Sequence, residues 1–143
     1  MSATAVSDLQ PTWPPLTEAA QGLPADIVTL VREALANEPE KPVFIFEDGV
    51  VVSREQFRAA VENFAGYLSE RLKPGDRVLI MLENRVEFMV AWIAVNACGA
   101  GLVSINTSAG EHDAGHIVAD SEAVLAVVGE EHEELLKQIG HGG

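Results

Sequence analysis

Residues 78–82, Val-Leu-Ile-Met-Leu, are apolar without a break, and a Pro74-Gly75-Asp76 turn stands just before them. An apolar run of strand length predicts a strand covered on both faces, as in a parallel sheet. After it, Asn84 and Glu87 stand three apart, the spacing of a capping box, and open a helix from Arg85 to about Ala97. That helix is apolar nearly all round, so it is expected to be largely buried. Gly99 is expected to stop it. A second apolar run, Leu102 to Ile105, reads as another buried strand, and Ala123 to Val128 as a third. A weaker helix, Glu111 to Ala119, lies between them, and a charged helix, Glu130 to Ile139, closes the series. Strand and helix alternate from Val78 onward, which predicts an α/β fold with a mainly parallel sheet and right-handed crossovers.

The residues before this series predict a different element. Val43 to Phe46 and Val50 to Val52 flank Glu47-Asp48-Gly49, and Asp-Gly between two such runs signals a β-hairpin. Ser53 and Gln56 form a capping box. The helix they open carries Phe57, Val61, Phe64, Ala65, Leu68 and Leu72 on one stripe, with Glu55, Arg58, Glu62 and Glu70 facing away. Upstream, Ile27, Leu30, Val31, Ala34 and Leu35 recur at helical spacing until Pro39. Residues 1–25 hold Pro11, Pro14, Pro15 and Pro24 and read as an irregular leader that Trp13 anchors. The expected organisation is therefore a leader over 1–25, a single α/β domain over 26–140 and a tail over 141–143.

Charge excludes several functions. The chain carries 22 acidic against 9 basic residues, a net charge of −13, so it lacks the basic footprint of a nucleic-acid or anionic-lipid partner. Cys98 is the single cysteine, which excludes an internal disulfide and fits a cytoplasmic setting. Phe88 to Gly110 carries no charge, but Asn96, Gly99, Gly101, Ser104 and Asn106 interrupt it. A soluble helix and strand explain it better than a membrane span.

Several residues are candidates for chemistry, and most have a plainer reading. Gly99-Ala100-Gly101 follows a helix and opens a strand, the reverse of a dinucleotide loop, so it reads as a helix stop and turn. Asn106, Thr107 and Ser108 lie just past a strand of the expected parallel sheet, where ligands bind, and are the candidates for cofactor contact. No lysine accompanies them, and Glu111 and Asp113 follow, so a connection with Ser or Thr capping is the competing reading. His112 and His116, four apart, can share a helix face and with Glu111, Asp113 or Asp120 offer metal donors, but the spacing is a weak signal and two exposed or partly packed histidines are the plainer reading. Cys98 has no local base and reads as structural. Glu130, Glu131, Glu133 and Glu134 suit the start of a helix. Met81, Phe88, Met89 and Trp92 read as core rather than as a pocket wall. No residue is assigned a catalytic or metal-binding role.

Five segments in register carry a family resemblance. They are Pro42-Val-Phe-Ile-Phe-Glu-Asp-Gly, Ser53-Arg-Glu-Gln-Phe, and Lys73-Pro-Gly-Asp-Arg-Val with Glu83-Asn84 and Glu87-Phe88. Asn96-Ala-Cys-Gly-Ala leading to Ile105-Asn106, and Asp120-Ser121-Glu-Ala, complete them. From about Asp26 to Ile139 the chain resembles the N-terminal part of adenylate-forming acyl-CoA ligases. That family also includes luciferases and peptide-synthetase adenylation domains. Ser104 stands where members often have proline, and Asp113-Ala114 where they usually have Glu-Leu. The basic residue that some members place near Ser108 to meet the CoA phosphates is missing, which weakens any CoA contact from this segment.

The resemblance implies a scaffold portion of an ATP-dependent acyl-CoA ligase. The lysine-bearing phosphate loop, the adenine-binding motif and the catalytic lysine of such enzymes have no counterpart in these 143 residues. ATP, Mg and CoA are therefore implied for the whole enzyme, and none is expected on this chain alone. The implied partner is the remainder of the ligase, or a protein covering the sheet, and self-association is the further expectation. A free-standing interaction domain and an unrelated flavodoxin-like binding module are the alternatives.

Overall fold

The structure is a computed structural model and describes residues 26–140. The leader, Trp13 and the 141–143 tail lie outside the described residues. Helix α1 (Ile27–Ala36) leads into an antiparallel hairpin of β1 (Pro42–Ile45) and β2 (Val51–Ser53), followed by α2 (Arg54–Ser69). Then come β3 (Arg77–Met81), α3 (Val86–Ala97), β4 (Gly101–Ser104), α4 (Glu111–Ser121), β5 (Leu125–Val128) and α5 (Glu133–Gly140). A three-stranded sheet runs in the order β4-β3-β5, and both pairings are parallel. The α/β fold with a parallel sheet and a preceding hairpin is therefore present as expected.

Local chemistry sets most of these boundaries. Asp26 caps α1 by accepting the Thr29 N–H at 2.7 Å, which holds its carboxyl below the usual range. The hairpin turn is closed by Phe46 N–H donating to Val50 O and Gly49 N–H donating to Phe46 O. Gly49 has φ +85, a conformation that favours glycine. At the start of α2 both halves of the capping box form: Gln56 N–H donates to Ser53 Oγ, and Ser53 N–H donates to Gln56 Oε1. Gly99, at φ +69, ends α3, and its carbonyl accepts from Gly75 N–H at 2.8 Å, tying the two turns together.

Three boundaries differ from expectation. Asn84 does not cap α3. Arg85 is the N-cap, with extended backbone and no side-chain cap bond, so Glu87 falls one position too early for a capping box. Helix α4 likewise has Gly110 as its N-cap with no side-chain cap bond, and the Ser108 hydroxyl, two residues earlier, donates to Asn106 Oδ1 instead. The closing helix is split, a 3₁₀ turn at Glu130–His132 preceding α5. These findings revise the expected effects of substitution. Ser53→Ala is expected to cost about 1 kcal/mol, as cap losses do, whereas Asn84→Ala is expected to stay within about 0.5 kcal/mol. Urea melts of the two variants check this; a loss at Asn84 equal to that at Ser53 overturns it.

The core has two sides and β3 divides them. Val78 and Ile80 pack with Leu68 of α2, with Leu72 just beyond it, and with Ala91, Ala94 and Val95 of α3. Leu79 and Met81 face the other way, into a cluster with Ile105 and Ala114 that Leu135, Leu136 and Ile139 of α5 also join. Val78, Leu79, Ile80 and Met81 are all buried. The outer strands are only partly covered, since Gly101, Ser104 and Ala126 are exposed. The expectation of fully buried second and third strands is thus too strong. A three-stranded sheet has one central strand, and among the described residues its two edges lack a neighbour. A third cluster joins Leu35, Phe57, Val61 and Ile93 with Phe44 and Val52 of the hairpin.

Candidate functional site

The carboxyl ends of β3, β4 and β5 gather the polar side chains. In a parallel sheet this edge is where ligands bind, because the loops leave the packed layers there. A hollow of about 450 Å³ lies between the β3 and β4 ends, lined by Glu83, Asn84, Phe88, Ser104, Asn106 and Thr107 among others. Two of the three cofactor candidates, Asn106 and Thr107, therefore line one concave surface. The third, Ser108, is turned back: its N–H and its hydroxyl both donate to Asn106 Oδ1, at 2.9 Å each. This local turn occupies the Asn106 oxygen that a ligand donor would need. Among the described residues no lysine or arginine lines the hollow, so it offers no cation to a phosphate.

Across the sheet, the loops after β3 and β5 meet. Arg85 Nη2 donates to Glu131 Oε1 in a short ion pair. The Glu131 carboxyl is held below the usual range by its own backbone N–H and, after that, by the Arg85 guanidinium, against the opposing effect of burial. His132 Nε2 lies 3.6 Å from Glu83 Oε1 and 4.0 Å from Glu131 Oε1. The acidic run does more than suit a helix end. Its members divide: Glu131 pairs with Arg85, and Glu133 pairs with Lys137 at 2.7 Å, which lowers its carboxyl pKa. The Glu83–Glu131–His132 cluster joins residues 48 to 49 positions apart, so no local spacing announces it.

The remaining candidates take structural places. His112 and His116 are exposed on α4, with ring centroids 4.6 Å apart, beside a hollow that Gln138 and Ile139 also line. The structure brings them together, but no described carboxylate joins them in a three-ligand cluster. Cys98 donates weakly to Ala65 O at 3.5 Å, and burial raises its thiol pKa, away from nucleophile chemistry. Gly99 and Gly101 bracket a helix end and a strand start. Met81 is fully buried, while Phe88, Met89 and Trp92 pack partly buried against core clusters. The core reading holds for Met81, whereas Phe88 also walls the hollow at the strand ends and Met89 and Trp92 sit at the edge of the core. No helix among the described residues is long and apolar enough to cross a membrane.

The family model described as "AMP-binding enzyme" matches residues 31–141. The chain belongs to that family. Within it, the anthranilate–CoA ligase of Pseudomonas aeruginosa is 33% identical over 100 residues, covering 70% of this chain and 19% of that protein. The 3-oxocholest-4-en-26-oate–CoA ligase of Rhodococcus rhodochrous is 31% identical over 103 residues, covering 71% and 18%. The chain thus spans about a fifth or less of the curated AMP-binding relatives it matches. Among solved structures, the N-terminal domain of FACL13 from Mycobacterium tuberculosis superposes with a TM-score of 0.73 at 23% identity, over 79% of this chain and 29% of that one. The benzoate CoA ligase of Burkholderia xenovorans gives 0.75 at 17%, over 81% and 24%. At such identities these two establish a shared fold. Family membership removes the unrelated flavodoxin-like module from the readings.

Proposed function

We propose that this chain is the N-terminal scaffold portion of an ATP-dependent acyl-CoA ligase and is not competent for catalysis alone. The carrying observation is a continuous family match over residues 31–141 that spans about a fifth of relatives such as the anthranilate–CoA ligase. In the whole enzyme, a carboxylate and ATP would give an acyl adenylate, and CoA would then displace AMP. Such chemistry depends on positioned cations around the phosphates. The hollow at Asn106 and Thr107 has polar groups but no cation, so ATP, Mg and CoA are taken to bind mainly to the rest of the ligase. That remainder is the proposed partner, and the cytoplasm the proposed setting.

Carboxylate-dependent exchange of labelled pyrophosphate into ATP tests the missing competence. The pure 143-residue chain is expected to give none with anthranilate or with a panel of fatty acids. Clear exchange overturns that half of the reading. The reading frame beyond codon 143 tests the other half. A continuing frame with a lysine-bearing phosphate loop supports the scaffold. A stop codon favours the second reading, a free-standing interaction domain. The exposed apolar residues of the hairpin give that second reading its support.

A further inference from the structure

We propose that Glu83, Glu131 and His132 form a binding site for a divalent transition-metal ion of the zinc class. Three observations carry this. The first is an unsatisfied donor. Among the described residues His132 Nε2 is shut off from solvent and has no hydrogen-bond partner, and the side chain is only 15% exposed. A buried polar atom left unpaired costs free energy, so its position calls for a ligand. The second is spacing. The contacts of 3.6 Å to Glu83 and 4.0 Å to Glu131 are too long for hydrogen bonds. Donor atoms on one tetrahedral ion, with bonds of about 2.0–2.2 Å, stand roughly 3.3–3.5 Å apart. Small side-chain adjustments bring the three donors, all within 4.8 Å of one another, to that separation.

The third is placement. Glu83 follows β3, and Glu131 and His132 follow β5. Helix α3, after β3, covers the Val78 and Ile80 face, and α5, after β5, covers the Leu79 and Met81 face. Neighbouring strands whose connections leave on opposite faces open a crevice at their carboxyl ends. Gly129 adds room in that crevice: a Cβ there would stand 2.6 Å from the Glu131 carboxylate. A side chain at 129 would push this flexible carboxylate out of its present position.

The charges permit an ion. Two carboxylates and the Arg85 guanidinium leave the pocket singly negative, within a chain of net charge −13. Arg85 competes for Glu131, but its side chain is 39% exposed and can turn to solvent. One imidazole with two carboxylates suits zinc, whereas Mg²⁺ favours oxygen donors alone. Three protein ligands leave a position for water or an oxygen ligand. The ion would also tie the β3–α3 and β5–α5 loops together.

The test titrates the chelator-stripped full chain with ZnCl₂ by calorimetry and with CoCl₂ by visible absorption. One saturable site per chain is expected, with the absorption bands of four-coordinate cobalt. Glu83→Gln and His132→Gln should each weaken zinc about tenfold or more, as lost ligand contacts do. Arg85→Gln should tighten it. Excess Mg²⁺ should not displace zinc. A chain with His112→Ala, His116→Ala and His141→Ala should bind unchanged, which separates this site from the exposed histidine pair. Glu83 is exposed, so its variant stays informative even if His132→Gln fails to fold, which circular dichroism reads. Absence of saturable binding at millimolar zinc, wild-type binding by Glu83→Gln, or loss of binding in the triple-histidine variant overturns the proposal.

Discussion

Ile80→Ala is expected to destabilise the domain by about 2–5 kcal/mol, the range for a large aliphatic side chain cut back in a tight core. Ile80 is fully buried in the central strand, with β4 on one side and β5 on the other. Its side chain packs into the cluster of Leu68, Leu72, Ala91, Ala94 and Val95, so truncation leaves a cavity that α2 and α3 cannot close without moving. A small domain has a total stability of about 5–15 kcal/mol, so this one change should remove a large share of it. Trp92→Ala makes the comparison. The tryptophan is bigger, yet it is only partly buried at the rim of the Leu35–Phe57–Val61–Ile93 cluster. It is expected to cost less than Ile80→Ala. Denaturant midpoints decide between them, and a larger loss at Trp92 would show that the rim, not β3, carries the fold.

The chain is also expected to self-associate or to bind a dye for exposed apolar surface, and the hairpin is expected to be responsible. Ile45 and Val51 are directly paired across β1 and β2 and are 71% and 51% exposed. Val50, Val43 and Phe46 are exposed beside them. The opposite face of the hairpin is already used, where Phe44 meets the Phe57 ring edge-on at 5.2 Å. A two-stranded ribbon of this length is marginal alone, and an outward apolar face of this kind marks an interface. Sedimentation at several concentrations measures the association. Ile45→Thr with Val51→Thr should shift the chain toward monomer and weaken dye fluorescence. A clean monomer at high concentration, with no dye binding and a sharp unfolding transition, overturns the expectation.

The uncovered surface illustrates what periodicity conveys. From the apolar strands Leu102 to Ile105 and Ala123 to Val128, the exposed face was expected on the parallel sheet. Both faces of that sheet in fact have helical cover, α2 and α3 on one and α4 and α5 on the other. Among the described residues the hairpin holds most of the large exposed apolar side chains. Val43, Phe44 and Ile45 are all apolar, so the sequence does not mark which face of the hairpin is covered and which lies open.

What the sequence alone determined was whatever depends on neighbours a few residues apart. The Asp48-Gly49 turn, the Ser53–Gln56 capping box, the helix stop at Gly99 and the unbroken run in β3 are local devices, and each one is found where its residues stand. The resemblance to acyl-CoA ligases was legible for the same reason, since its segments are short and in order. Where local rules compete, the outcome was not legible. Asn84 and Glu87 fit a capping box, yet the chain enters α3 one residue later, at Arg85. Only the tertiary structure decided that Glu83, Arg85, Glu131 and His132 meet. They are joined through the parallel pairing of β3 with β5, which sets Met81 beside Val128 and so delivers both loops to one crevice. Parallel pairing is long-range by construction, because each strand must wait for a crossover helix before it meets its neighbour. The side chains it gathers therefore carry no mark of one another in the sequence.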